Sequence, residues 1–290
     1  MKKKNRNALT GYILILPALF LLSVFFLYPL VHIFWSSFHK VRLFGKPKWV
    51  GLDNFIYIFN DTDFWESLDF TFYYTVTVTP LLFGLAFLSA LICNSKLKGT
   101  TFFRSMYFMP VVVSFAASCS VWLWLYSEMY GVITLFLNYI TASKDPINLF
   151  LTVDSSLWAV NFMTMWKFSG ISMIIIIAGM QSIRDDYYEA STLMGSCKFS
   201  NVWHITIPLL KPTFALVFIL SIAGSIQAFE HFLIMTGGAP SNETRTAMMY
   251  IIENAFRYFK LGKASAMSIV VMIMLIALTL IQLRIFRKQY

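Results

Sequence analysis

Long segments without charge constrain the fold of this chain more than any other feature of its sequence. No Asp, Glu, Lys or Arg occurs in residues 7–39, 70–95, 105–127, 212–229 and 264–283, and Lys167 alone interrupts residues 155–183. A helix of about 20 apolar residues crosses the roughly 30 Å of hydrocarbon in a bilayer. Only 13% of the residues are charged and 58% are hydrophobic, whereas a soluble domain carries about 25% charged residues. The chain is therefore expected to be an integral membrane protein.

These segments predict an all-α membrane protein with a single transmembrane domain over residues 1–290 and six transmembrane helices. The fifth segment is long enough only if its helix continues past Glu230. An even number of spans places both termini on the same side of the membrane. The connections then include an outer loop over residues 37–69 and an inner loop over residues 182–211. The spans are expected at about residues 11–36, 72–93, 106–126, 157–181, 213–235 and 264–286.

Basic residues orient the predicted helices. If both termini are cytoplasmic, the inner segments hold 13 Lys and Arg residues, the outer segments hold 9, and Lys167 lies inside span four. Lysines and arginines next to the first span have most weight in the positive-inside rule, and four of the inner residues lie there, namely Lys2, Lys3, Lys4 and Arg6. We therefore expect cytoplasmic termini. Membrane topology also explains the net charge of +9 without a nucleic-acid partner.

The inner loop has a helical pattern of its own. Asp185, Asp186 and Glu189 fall in the first turns of a predicted helix, where acidic side chains complement the helix dipole. Gly195 is placed to end that helix, and a second apolar-periodic stretch is expected to stop at Pro208. A helix, a glycine turn and a short second helix would form a rigid unit for a partner. The alternative is an amphipathic segment that lies at the lipid interface.

The same loop resembles the E-A-A-x-x-x-G-x9-I-x-L-P segment of ABC-importer permeases. Much of the remaining chain is similar to the binding-protein-dependent sugar-permease group, the maltose-type inner-membrane components. The loop departs from the family pattern because Ser191 stands for the second Ala and Ile207 for Leu, while Arg184 replaces a Pro before it. The matching segments are Glu189-Ala190-Ser191 with Gly195, Ile205 and Pro208, Gly51-Leu52-Asp53-Asn54-Phe55, Phe103-Arg104 with Phe108-Met109-Pro110, Gln227-Ala228-Phe229-Glu230, and Thr236-Gly237-Gly238-Ala239-Pro240.

This resemblance implies the permease subunit of an ATP-driven ABC importer for a carbohydrate, which works by alternating access in a bacterial cell membrane. The implied partners are a second homologous permease, two cytoplasmic ABC ATPases and an extracellular or lipid-anchored solute-binding protein. ATP and Mg²⁺ would bind the ATPases, since this chain has no G-x-x-x-x-G-K-[ST] motif, and we expect no cofactor, metal or catalytic residue here. The residues implied to couple to the ATPase are Asp186, Glu189, Ala190, Ser191, Gly195, Ile205 and Pro208.

Two ionisable residues inside predicted spans are candidates for the solute path. Charged groups inside a membrane are costly and often functional, and Lys167 and Glu230 lie at similar estimated depths, so the two could pair. A purely structural ion pair, or snorkelling toward the outer surface, is the alternative. We predict a polar patch built from spans three, four and five. Its candidates are Ser114, Ser118, Lys167, Gln227, Glu230 and His231.

Two other functions stay open at this point. A permease of the same family could carry a non-sugar or anionic solute, such as a polyol phosphate or a sialic acid, which Lys167 would suit. A membrane enzyme acting on lipid-linked substrates could use Asp185, Asp186 and Glu189 to hold a diphosphate through Mg²⁺. That chemistry needs a second acidic cluster that faces the first, and the other inner loop, residues 95–104, contains no acid.

Cysteine labelling tests the predicted topology. Single cysteines near Lys3, Lys198 and Lys288 should resist a membrane-impermeant maleimide in intact cells, because these positions are expected in the cytoplasm. Cysteines near Lys46 and Arg245 should react, and permeabilised cells provide the control in which all five react. Labelling near Lys198 in intact cells would rule out the cytoplasmic inner loop.

Overall fold

The computed structural model describes residues 14–41, 45–94, 99–142 and 146–287 of the chain. The predicted start of span one and the basic residues Lys2, Lys3, Lys4, Arg6 and Lys288 lie outside these ranges. Internal contacts divide the chain into two units. Unit 1 comprises Met1–Thr62 and Ile251–Met274, and unit 2 comprises Asp63–Tyr250 and Leu275–Tyr290. The prediction of one domain over residues 1–290 stays a prediction.

The described residues fold mostly into helices, with a short antiparallel hairpin near the start. Its strands pair His39 with Trp49 and Lys40 with Lys48. The elements are α1 (Leu14–Ser37), β1 (His39–Lys40), β2 (Lys48–Trp49), α2 (Asp53–Phe59), α3 (Thr62–Cys93), α4 (Thr100–Val112), α5 (Phe115–Leu125), α6 (Val132–Thr141), α7 (Val153–Gln181), α8 (Asp185–Leu193), α9 (Lys198–Leu209), α10 (Lys211–Ile226), α11 (Glu230–Met235), α12 (Ala247–Ile252) and α13 (Leu261–Arg287).

Two of these helices contain a widened turn shortly before a proline. In α1 the turn covers Ser23–Leu27 and precedes Pro29, and in α9 it covers Val202–Thr206 and precedes Pro208. A proline lacks the backbone N–H and its ring clashes with the carbonyl four residues earlier. A π turn moves that carbonyl aside, so both helices continue past their proline. The second inner helix is expected to stop at Pro208, and α9 ends one residue later, at Leu209.

Asn54 organises unit 1. Its buried side-chain amide donates hydrogen bonds to the carbonyl oxygens of Ser37, at 2.8 Å, and His39, at 3.1 Å. These bonds hold the chain that leaves α1 against α2. A side chain on Gly262 would collide with the same His39 carbonyl, so that close approach requires glycine. The structure thus gives a role to the segment Gly51-Leu52-Asp53-Asn54-Phe55, which the sequence alone did not explain.

Helix α7 supplies buried residues to both hydrophobic clusters of unit 2. In one cluster Leu157 and Met163 lie with Tyr74 of α3 and Phe232 of α11. In the other cluster Met173 and Ile176 are packed with residues of α3 and α10, among them Ala86 and Val217. The burial of these apolar side chains on several faces explains why α7 is not amphipathic.

Among the residues that the structure describes, four helices are long and apolar enough to cross a membrane, and the number rises to six if each of two bent pairs counts as one span. The four are α1, α3, α7 and α13. The pair α4 and α5 bends by 98°, and the pair α9 and α10 bends by 69°. Length and composition thus agree with a multi-pass membrane protein.

Two predicted spans are not continuous helices. Span three, expected at 106–126, breaks where Val113 and Ser114 take extended backbone conformations. Span five, expected at 213–235, breaks between α10 and α11, where Phe229 has φ −140° and ψ −66°. Helix α3 also begins earlier than expected, at Thr62 rather than near residue 72. Hydropathy reports how apolar a segment is and carries no information on whether its helix is unbroken.

Gly170 tests the packing of α7 on α4. A Cβ at Gly170 would lie 2.5 Å from the Tyr107 carbonyl oxygen, whereas a Cβ at Gly84 in α3 would meet nothing within 4 Å. We expect Gly170→Ala to lower the free energy of unfolding by about 1–3 kcal/mol, the usual cost of overpacking. Gly84→Ala should be neutral or stabilise by up to about 1 kcal/mol through helix propensity. Thermal unfolding of the purified protein, followed by tryptophan fluorescence, compares the two variants, and equal midpoints would contradict the packing.

Candidate functional site

The break between α4 and α5 is held by a buried ammonium group. Lys167 is 3% exposed, and its Nζ donates hydrogen bonds to the carbonyl oxygens of Pro110, at 3.1 Å, and Val113, at 2.7 Å. The last carbonyls of a helix have no partner within it and carry the negative end of its dipole. A positive side chain at this end supplies both hydrogen bonds and charge, so Lys167 caps α4 where the chain turns.

Lys167 therefore caps a helix, which is not the role that the sequence suggested for it. It forms no ion pair with Glu230 in the described part of the chain, so the suggestion that the two could pair is wrong. Ser118 also belongs to the break, because its hydroxyl donates to the Ser114 carbonyl at 3.0 Å. Of the six candidates for the solute path, Ser114, Ser118 and Lys167 thus surround the break between α4 and α5.

The other three candidates, Gln227, Glu230 and His231, line one cavity of about 560 Å³ inside unit 2. Its wall is mainly apolar and is built from α3, α5, α7, α10 and α11. Glu230 is the charged residue among the described residues of this lining. Uncharged polar groups are distributed around it on four elements, namely Thr79, Thr164, Ser172, Ser221, Ser225, Gln227 and His231.

Two polar side chains of this wall are buried without a hydrogen-bond partner. Both ring nitrogens of His231 and the hydroxyl of Thr79 are unpartnered, at 5% and 4% residue exposure. The imidazole lies between aromatic rings, with centroids 5.5 Å from Tyr74 and 5.3 Å from Phe115. Buried polar groups in proteins are nearly always hydrogen-bonded, so these two are exceptions. Both residues line the same cavity.

The break between α10 and α11 places the cavity's polar residues. Gln227 and Glu230 stand on either side of it, and both are exposed in the isolated chain. The Thr246 hydroxyl donates to the Ala228 carbonyl at 2.7 Å, which satisfies a carbonyl of the interrupted helix. Sequence reasoning missed Thr79 and Thr246, because one threonine in an apolar segment gives no signal of the backbone or cavity it will meet.

The inner loop forms two helices that a glycine turn joins. Gly195 has φ +80°, its N–H donates to Thr192 O, and the Ser196 N–H donates to Ser191 O, which together make a Schellman motif. The predicted glycine turn is confirmed in its geometry. The Ser191 hydroxyl further donates to Asn201 Oδ1 at 2.7 Å, so the serine that replaces the family's alanine links α8 to α9.

A second link and an exposed surface complete this unit. The hydroxyls of Tyr188 and Thr206 lie 3.0 Å apart and connect α8 to the π turn of α9. Glu189, Ala190 and Gly195 are exposed at the surface, and Asp186 pairs with Arg184. Ile205 is half-buried, and Pro208 is exposed. Large apolar side chains around the turn are exposed. Leu193 is 90% exposed, Met194 82%, Phe199 72% and Trp203 56%.

Comparisons with known proteins agree with this arrangement. A scan against protein-family models finds no match. The trehalose/maltose transport system permease protein MalF of Thermococcus litoralis is 31% identical over 292 residues, which cover 99% of this chain and 96% of that protein. The probable ABC transporter permease protein YesP of Bacillus subtilis is 32% identical over 291 residues, covering 97% and 92%. The chain belongs to the ABC-transporter permease family.

The fold of this permease is also that of a solved transporter. The crystal structure of a bacterial alginate ABC transporter, in complex with an alginate pentasaccharide-bound periplasmic protein, matches with a TM-score of 0.87 at 17% identity. The match covers 99% of this permease and 97% of that chain. Permeases are transport components, so this chain is a membrane transport subunit rather than an enzyme.

Removing the ammonium tests its role at the break. Lys167→Met keeps the length of the side chain but leaves the Pro110 and Val113 carbonyls unpaired. Because hydrogen bonds to charged groups contribute about 1.5–3 kcal/mol each, we expect a loss of about 2–4 kcal/mol in unfolding free energy. Lys198→Met, at an exposed position, is the matched control and should change little. Equal unfolding midpoints for both variants in detergent would contradict the capping role.

Proposed function

We propose that this permease carries a carbohydrate through a bacterial cell membrane by alternating access, with cavity residues Gln227, Glu230 and His231 on the solute path. The observation that carries the proposal is the cavity of about 560 Å³, whose mainly apolar wall carries the exposed polar side chains of Gln227 and Glu230. A sugar offers hydroxyl groups that donate and accept, and aromatic rings such as Phe115 and Phe229 suit its apolar faces. The relative MalF, named for trehalose and maltose, supports a sugar as solute.

In this proposal the chain spans the membrane six times, with both termini in the cytoplasm. The spans are α1, α3, α7, α13 and two broken ones. The first broken span is the pair α4 and α5. The second is the pair α10 and α11 rather than α9 and α10, because α9 belongs to the inner loop. Irregular backbone within a membrane is tolerated where it is buried in protein or lines a cavity. Both breaks fit this condition, because Lys167 and Thr246 satisfy their carbonyls.

The inner loop is proposed to dock on a cytoplasmic ATPase that holds ATP and Mg²⁺. The docking residues are Asp186, Glu189, Ala190, Ser191, Gly195, Ile205 and Pro208. Support comes from the exposed apolar side chains around the glycine turn, of which Leu193 is 90% exposed. Contiguous apolar surface rimmed by polar residues is typical of protein interaction sites. The links of Ser191 to Asn201 and of Tyr188 to Thr206 would let the loop move as one body.

The complete importer is proposed to contain a second homologous permease, two ATPases and a solute-binding protein. The alginate transporter, which is solved in complex with its periplasmic protein, supports the last of these. A solute shifts a conformational equilibrium only by its differential affinity for the two states. Accumulation against a gradient therefore needs the free energy of ATP hydrolysis, delivered through the inner loop.

Two substitutions in the loop test the proposed coupling. Glu189→Lys reverses an exposed charge on α8, and Gly195→Val puts a β-branched residue at φ +80°, a conformation that favours glycine. We expect each to reduce solute-stimulated ATPase activity and uptake at least tenfold in proteoliposomes of the complete importer. The permease should still reach the membrane.

Glu243→Lys is the matched control, because Glu243 is exposed and lies outside the inner loop. It should retain wild-type stimulation. Full stimulation in Glu189→Lys and Gly195→Val would exclude docking at this loop, and absence of uptake for every carbohydrate tested with the wild type would exclude the carbohydrate function.

A further inference from the structure

We infer that the solute of this permease is a carbohydrate without acidic groups, and that Glu230 contributes to the rejection of acidic ones. This inference rests on the proposed function and specifies its substrate class. The question is open within the family, because MalF is named for the neutral sugars trehalose and maltose, whereas alginate is a polyanion. The charges that a solute meets in the cavity decide between the two.

The positive charge closest to the cavity is already engaged elsewhere. Lys167 was the candidate partner for an anion, but its ammonium bonds to the carbonyls of Pro110 and Val113 and does not line the cavity. Its Nζ lies 5.5 Å from the ring centroid of Phe115 and 6.0 Å from that of Phe168, two rings that do form the wall. The two rings, and not the ammonium, thus belong to the surface that a solute would meet. An anion in the cavity would find no direct cationic partner among the described lining residues.

The contact groups that remain suit hydroxyls. Glu230 offers a carboxylate that only accepts hydrogen bonds, Gln227 offers an amide that both donates and accepts, and both side chains are exposed. A sugar hydroxyl can donate to the carboxylate and accept from the amide, so it suits both groups. A carboxylate or phosphate of a solute can only accept, and it would meet the like charge of Glu230.

The charges near the cavity disfavour an acidic solute. The carboxylate of Glu230 lies in the wall, and the ammonium of Lys167, which does not line the cavity, offsets only part of its field. A like charge about 5 Å away in a medium of dielectric constant about 20 weakens binding by roughly a hundredfold. The wall is thus unfavourable for anions.

A matched set of solutes tests the substrate class on the complete importer. A panel of neutral oligosaccharides, uronic acids, sugar phosphates and amino sugars first identifies solutes that stimulate ATPase activity and uptake in proteoliposomes. An accepted neutral oligosaccharide is then compared with its aldonic acid. We expect kcat/KM at least tenfold higher for the neutral form. Equal or better transport of the acid would overturn this inference and leave the carbohydrate importer standing, whereas uptake of no carbohydrate would overturn the proposed function itself.

A charge-removing variant assigns the discrimination to this cavity. Glu230→Gln keeps the shape of the side chain. We expect this variant to lower the ratio of kcat/KM for the neutral sugar to kcat/KM for its aldonic acid at least threefold. Glu243→Gln removes an exposed carboxylate outside the cavity and should leave the preference unchanged. If both variants keep the wild-type preference, a different component sets the selection and Glu230 does not contribute. A change in the Glu230 variant alone supports the assignment.

Discussion

The hydrogen bonds from Lys167 to the carbonyls of Pro110 and Val113 are the interaction on which the cavity depends. Hydrocarbon offers no water to pair with backbone groups, so a helix can break inside a membrane only where protein supplies partners. Lys167 supplies them from α7, and its positive charge matches the negative end of the α4 dipole. Phe115 follows the break directly and lines the cavity. The position of this wall is thus tied to one buried ammonium.

The second break is stabilised in the same way, but by an uncharged hydrogen-bond donor. Between α10 and α11 the Ala228 carbonyl accepts from the Thr246 hydroxyl instead of from an amide of its own helix. The break brings Gln227 and Glu230 to the cavity edge, where an unbroken helix would space its side chains by its regular turn. Both interruptions therefore produce cavity surface, and both are stabilised by side chains from elsewhere in unit 2.

The sequence predicted the class of the fold better than its local geometry. Charge-free segments correctly indicated a helical membrane protein, and the loop pattern around Glu189 and Gly195 correctly indicated an ABC permease. The sequence also grouped Gln227, Glu230 and His231 in one predicted patch, and all three line the cavity. The breaks were missed because their cause is long-range. Lys167 lies 57 residues from Pro110 in the sequence, and no periodicity within one segment reports a partner at that distance. For the same reason, the sequence alone suggests that Lys167 binds a solute, whereas in the structure its ammonium bonds to backbone carbonyls.

The placement of the inner loop between two cavity helices explains how a movement there could reach the solute. Helix α7 ends at Gln181, just before the loop, and contributes Thr164 and Phe168 to the cavity wall. Helix α10 begins at Lys211, just after it, and contributes Ser221 and Ser225. Two side-chain hydrogen bonds link α8 to α9, and one of them comes from the serine that replaces alanine in this chain. In the proposed importer, a loop linked in this way would pass a displacement to both walls at once, whereas a flexible loop would absorb it locally.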